Sequence, residues 1–136
     1  IRRHERIASA VRRSIEAAGL ELYPRSGYAN TVTAVVMPSE MGYQDLFDGM
    51  LSEHGIMIAG NYGALEGKVF RIGHMGENCR ERKVVRTLRA LDRVLRKGGV
   101  SLGASLHREF RKALGAAEIR RAANTGSKKQ QQAIFE

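Results

Sequence analysis

The stretch Thr31-Val32-Thr33-Ala34-Val35-Val36-Met37 is rich in β-branched residues and stops at Pro38, and directly after it the apolar spacing lengthens from two residues to three and four. A strand that gives way at once to a helix commits the chain to a mixed fold. Tyr43, Leu46, Phe47, Met50 and Leu51 recur at i, i+3, i+4, i+7 and i+8, from the candidate N-cap Ser39 until Gly55. They predict a helix. Two shorter apolar runs follow, Ile56-Met57-Ile58-Ala59 and Lys68-Val69-Phe70-Arg71-Ile72-Gly73, joined by a loop that holds Gly60, Asn61, Gly63 and Gly67. Such runs predict an antiparallel pair with a wide turn.

The first 19 residues carry Ile7, Val11, Ile15 and Ala18 on one helical face and end on Gly19, and a link through Leu20, Leu22, Tyr23, Pro24 and Gly27 leads to the first strand. Asn78 and Glu81 have the spacing of a capping box, and Val84, Leu88, Leu91 and Leu95 then form an apolar stripe that Gly98 and Gly99 close. Leu102, Leu106, Phe110 and Ala113 predict one more short helix. Asn124 to Gln132 is polar, basic and glutamine-rich, and is expected to be a frayed or disordered tail. The expected fold class is therefore α/β, an α+β sandwich in which a small, mainly antiparallel sheet carries helices on one face, in the order α-β-α-β-β-α plus a C-terminal helical extension. Its other sheet face lacks a cover unless the first helix or the C-terminal part supplies one. A bare face suggests a missing partner domain.

At 136 residues, 43% hydrophobic and with two prolines, the chain has the composition of one globular domain, and no apolar run reaches the about 20 residues of a membrane helix. A soluble protein is expected, with no membrane partner. The chain opens on Ile1, which implies a processed product or a fragment of something longer. Cys79, the one cysteine, cannot form an internal disulfide or a thiolate metal site, so a cytoplasmic or organelle-matrix setting follows by default. His74 has no His, Cys or acidic neighbour at metal-ligand spacing, and no metal is expected.

The net charge is +9, and residues 79 to 97 hold eight of the basic side chains against Glu81 and Asp92. No aromatic residue interleaves these charges, which favours a solvated helix face over a nucleic-acid interface. On the strand after Lys68, Phe70, Ile72 and His74 point one way and Arg71 the other. Phe70 and Ile72 must face the helices, so Arg71 emerges on the opposite face, where its planar guanidinium can grip a carboxylate or pair with Glu66 or Glu77. His74 reads as a core-edge histidine satisfied by backbone, and Met50, Met57 and Met75 as core filler.

Gly55-Ile56-Met57-Ile58-Ala59-Gly60 followed by Gly67-Lys68-Val69-Phe70-Arg71-Ile72-Gly73-His74-Met75-Gly76 closely resembles the C-terminal small domain of class V pyridoxal-phosphate aminotransferases, the alanine/serine–glyoxylate and serine–pyruvate group. Gly19-Leu20-Glu21-Leu22-Tyr23-Pro24, Asn30 to Val35 and Leu88-Arg89-Ala90-Leu91 are similar to the matching parts of that domain, so the resemblance covers residues 1–99 and leaves 100–136 as an extension. Asn61 stands where the family commonly has a second glycine. The resemblance implies that Arg71 binds the α-carboxylate of a small amino-acid or keto-acid substrate, and that Gly60, Asn61 and Gly63 form a loop at the mouth of the active site. It also implies that the Schiff-base lysine, the phosphate cradle and pyridoxal 5'-phosphate itself belong to a missing large domain of a homodimer. No catalytic or cofactor-binding residue is then expected on this chain, and no cofactor bound to it. Cys79 does not match the nucleophile of the related cysteine desulfurases, which lies in the loop before the arginine strand. Two other readings stay open: a free-standing amino-acid-binding regulatory module, and a basic nucleic-acid-binding module built on residues 80 to 97.

Overall fold

The computed structural model describes residues 2–23, 30–61, 63–74 and 76–135, with the backbone alone at 77 and 127–135. Helix α1 spans Arg2–Ala17, strands β1 and β2 Leu22–Tyr23 and Val32–Val36, and helix α2 Tyr43–His54. Strands β3 and β4 cover Ala59–Gly60 and Val69–Gly73, and helices α3 and α4 Glu81–Lys97 and Leu106–Phe135. Single 3-10 turns fall at Gly63–Leu65 and Gly76–Asn78. Pro24, Gly27, Tyr62 and Met75 lie outside the described residues.

The sheet is antiparallel throughout, in the order β1-β2-β4-β3. Its edge strands have two residues each, which leaves little unpaired edge. In the centre Val35 pairs with Phe70, Ala34 with Arg71 and Thr33 with Ile72. Val35, Phe70, Ile72 and Leu22 join Ile7, Val11 and Ile15 of α1, Leu46 and Met50 of α2, Leu88, Leu91 and Leu95 of α3, and Leu106 and Phe110 of α4 in one core. The helices thus pack on one face of the sheet. On the other face Ala34, Val36 and Arg71 are half-buried and Tyr23, Ala59 and Gly73 exposed.

Local chemistry sets the boundaries. Gly19, at φ +85, takes the left-handed turn that ends α1, with Leu20 N–H donating to Ile15 and Gly19 N–H to Glu16. Gly99 ends α3 in the same way, with Val100 N–H on Leu95. Several expectations are corrected. The link through Leu22 and Tyr23 is a strand, whose pairing with β2 is continued where Val36 N–H donates to Glu21. Helix α2 starts four residues after Ser39, with Gly42 as its cap and no side-chain bond, and α3 is capped by Arg80 rather than through Asn78. Of Ile56 to Ala59 only Ala59 pairs, since Ile56 N–H is committed to Met50 at the end of α2. Met57 is 72% exposed and fills no core.

The expected short helix and frayed tail are one continuous helix, α4. Residues 106–135 contain no proline and are rich in Ala, Lys, Arg and Gln, all good helix formers. Asp92 of α3 ties the start of α4 to the rest. One carboxylate oxygen accepts Leu106 N–H at 3.0 Å and the other accepts Arg96 Nε at 2.6 Å. That satisfies an otherwise orphaned donor of the first turn.

His74 is fully buried on the core face. Its Nδ1 lies 3.1 Å from the Asn30 carbonyl, which can only accept, so Nδ1 carries the proton and Nε2 accepts from the Thr33 hydroxyl at 2.8 Å. Burial holds the imidazole below its usual range, with the charges of Arg12 and His4 acting the same way against the Asn30 bond. The unfolded chain therefore takes up this proton first as pH falls, so the contribution is complete above about pH 6.5 and declines as pH drops from there toward the folded-state pKa. Urea unfolding at neutral and mildly acidic pH should show a larger acid loss for the wild-type chain than for His74→Gln; equal losses would remove this role. Phe110, fully buried, and Ile119, 72% exposed, test the place of α4 in the core. Phe110→Ala should cost about 3–5 kcal/mol and Ile119→Ala less than about 0.5 kcal/mol in the same assay.

Candidate functional site

Alternation along β4 sends Phe70 and Ile72 into the core and Arg71 onto the open face. Cross-strand register then puts Ala34 on one side of Arg71 and Ala59 on the other, with Tyr23 beyond Ala34. Two methyl-sized neighbours leave the arginine room to lie along the sheet. Its Nε and Nη2 donate to the Gly60 carbonyl at 3.2 and 2.8 Å. This fixes one edge of the guanidinium and leaves its end, Nη1 and the second Nη2 proton, without a partner among the described residues. Glu66 does not pair with it, and the side chain of Glu77 lies outside the described residues.

Gly60 is shaped by a second constraint. A Cβ there would come 2.8 Å from Cζ of Tyr43, so the ring at the start of α2 packs directly on this backbone. Glycine is needed for that approach, and the approach holds the carbonyl that Arg71 grips. Asn61 is half-buried next to it, while Gly63, at φ +70, begins a 3-10 turn. The structure thus joins Arg71 to Gly60 and gives the described Asn61 and Gly63 no hydrogen bond to either.

Beside Arg71 opens a cavity of about 560 Å3 between the Met57–Ala59 segment, the end of β4 and the first turns of α3. Lys83, Arg86, Asn78 and Met57 line it with Arg71, and among the described residues no carboxylate does. Arg86 Nη2 also donates to the His54 carbonyl at 3.1 Å. Three cations around a partly apolar recess, with no acid among the described lining residues, suit a small organic anion. Sequence reasoning found Arg71 but not Lys83, Arg86 or Met57, because charges on a helix read as solvated until the packing of that helix is known. Cys79 is buried in the core as an unpaired thiol. Among the described residues no group of three His, Cys, Asp or Glu can hold a metal, and no helix is long and apolar enough to cross a membrane.

No family model matches the chain. Individual proteins do. An uncharacterized aminotransferase of Methanocaldococcus jannaschii is 39% identical over 107 residues, covering 77% of this chain and 27% of the relative. The (S)-ureidoglycine–glyoxylate transaminase of Bacillus subtilis is 36% identical over 107 residues, covering 76% of this chain and 26% of its own length. Its crystal structure superposes with a TM-score of 0.77 over 82% of this chain and 30% of that one, at 31% identity. The pyridoxamine–pyruvate aminotransferase of Mesorhizobium loti superposes with a TM-score of 0.78 over 85% of this chain and 30% of its own, at 26% identity. The chain spans about a quarter of the length of the curated relatives it matches. With its mixed fold of four helices and one small antiparallel sheet, it is a homologue of the class V aminotransferases, corresponding to the part of them read above as the C-terminal small domain.

Proposed function

We propose that this chain is the small-domain portion of a pyridoxal-phosphate-dependent aminotransferase that moves an amino group from a small amino acid, alanine or serine, to glyoxylate or pyruvate. The observation that carries the reading is the half-held guanidinium of Arg71, between two alanines on the open sheet face and beside a cavity that no acid among the described residues lines. The names of the Bacillus and Mesorhizobium relatives each contain a small 2-oxo acid, glyoxylate or pyruvate, which supports an acceptor of that size. In this reading Arg71 binds the substrate carboxylate end-on, Gly60 positions it, and Asn61 and Gly63 belong to the loop beside the mouth of the site. The open face is where the large domain packs, and the assembled enzyme is a homodimer.

Pyridoxal phosphate, when bound, supplies the electron sink for such chemistry. The described residues do not fit a cradle for it. A lysine that holds such a cofactor is desolvated, whereas Lys68, Lys83, Lys97 and Lys112 are exposed and Lys97 is engaged by Glu53 at 2.6 Å. The role assigned to this chain is therefore to bind and orient the carboxylate, with cofactor chemistry left to the large domain.

The test is kinetic, in the enzyme that joins this segment to its large domain. A bidentate pair of charge-assisted hydrogen bonds contributes about 3–6 kcal/mol, so Arg71→Ala should lower kcat/KM for amino acids by about two to four decades. Arg71→Lys should recover only part, since an ammonium keeps the charge and loses the fork. Amines without a carboxylate should lose little, and the absorbance of the bound cofactor should be unchanged. Near-normal kcat/KM in both variants would return Arg71 to a purely structural bond with Gly60.

A further inference from the structure

Helix α3 carries Arg82, Arg86, Arg89 and Arg93 at i, i+4, i+7 and i+11, one straight stripe about 16 Å long. All four line one cavity of about 340 Å3, whose wall also includes Arg111 of α4, His54 at the end of α2, and the apolar side chains of Ile56, Val85 and Ala90. Among the described residues no acidic one lines it. Among the described residues Arg82, Arg89, Arg93 and Arg111 make no ion pair or hydrogen bond, and Arg86 reaches only the His54 carbonyl. The same helix does find partners elsewhere. Arg96 is paired with Asp92 and bonded to the Ala104 carbonyl, and Lys97 is paired with Glu53.

Like charges one turn apart on a helix repel, and at physiological salt neighbours on this stripe sit within about one screening length of 8 Å. A second helix adding a fifth guanidinium to the same groove raises that repulsion further. Only an anion relieves it. A single phosphate meets one or two of these forks, whereas the stripe presents four in line, so the ligand must repeat its charge along its length. Among the described residues no aromatic ring lines the groove for a base to stack on, which separates it from single-stranded nucleic-acid grooves.

We propose that this groove is a second anion site, distinct from the Arg71 recess, that binds a small linear polyphosphate-bearing ligand. Arg89, Arg93 and Arg111 grip its phosphates and the apolar floor of Val85 and Ala90 sets its depth. The site needs nothing from the aminotransferase reading. It is tested on the 136-residue chain itself.

Isothermal titration at about 0.15 M salt, with inorganic tripolyphosphate as probe, orthophosphate as the short analogue and single-stranded oligothymidylate as the long one, separates the outcomes. One tripolyphosphate should bind per chain, about tenfold or more tighter than orthophosphate and tighter than the oligothymidylate. Arg89→Ala and Arg93→Ala should each weaken it by about tenfold or more. Arg108→Ala, which removes the same charge from α4 outside the groove, should change it by less than about twofold. Equal weakening by Arg108→Ala would reduce the effect to net charge, and absence of saturable binding would reduce the stripe to a solvated face. Tighter binding of the oligothymidylate through the same arginines would make the groove a nucleic-acid surface. Each of these results overturns the proposal.

Discussion

The pairing of β4 between β2 and β3 is the constraint on which the rest of the molecule depends. Side chains alternate along a strand, so Phe70, Ile72 and His74 share the core face and Arg71 lies on the other with Val69 and Gly73. Burying Phe70 and Ile72 contributes about 1.5–3 kcal/mol each, and a one-residue slip would exchange them for an arginine whose charge is costly to bury without a partner. Register, core and site are thus one choice. The same pairing sets Ala34 and Ala59 on either side of Arg71 and brings the Gly60 carbonyl under its guanidinium.

Much of this was legible before any coordinates. The alternation from Val69 to His74 gave the facing of Arg71, and helical periodicity gave α1 and α3, which bury long apolar stripes, and α2, which buries Leu46 and Met50 and leaves Leu51 exposed. The parts that escaped have physical reasons. Strand β1 has two residues, too few for any period to show. Helix α2 is capped by Gly42 without a side-chain bond, so Ser39 was a misleading signal. The length of α4 rests on the helix preference of a polar segment, which composition alone read as disorder. The Gly60 contact is made by a backbone carbonyl and the cavity by residues from separate elements, and neither leaves a mark in the local sequence. His74, read as a core-edge residue with backbone partners, is fully buried and also bonded to the Thr33 hydroxyl, a contact between strands that no local pattern shows.

Charge is divided unevenly over the molecule. The acids that α3 meets, Asp92 and Glu53, are spent on Arg96 and Lys97 at its C-terminal end, where Asp92 also caps α4. Its first turn carries Glu81 beside Arg82 and Lys83, and its middle turns carry Arg86, Arg89 and Arg93. Arg86 and Ile56 line both the recess beside Arg71 and the groove along α3, so the two cationic regions share a wall. This arrangement follows from packing the apolar stripe of α3 against the core, which forces its basic residues outward on both flanks.

We propose that the end of the Arg71 guanidinium left without a partner among the described residues is a carboxylate seat. It is tested most directly by a structure of the enzyme containing this segment with a bound amino-acid analogue. The account predicts both carboxylate oxygens about 2.7–2.9 Å from Nη1 and Nη2 of Arg71, with Nε and Nη2 still donating to Gly60. A carboxylate seated elsewhere, with Arg71 bound to Gly60 alone, would contradict it.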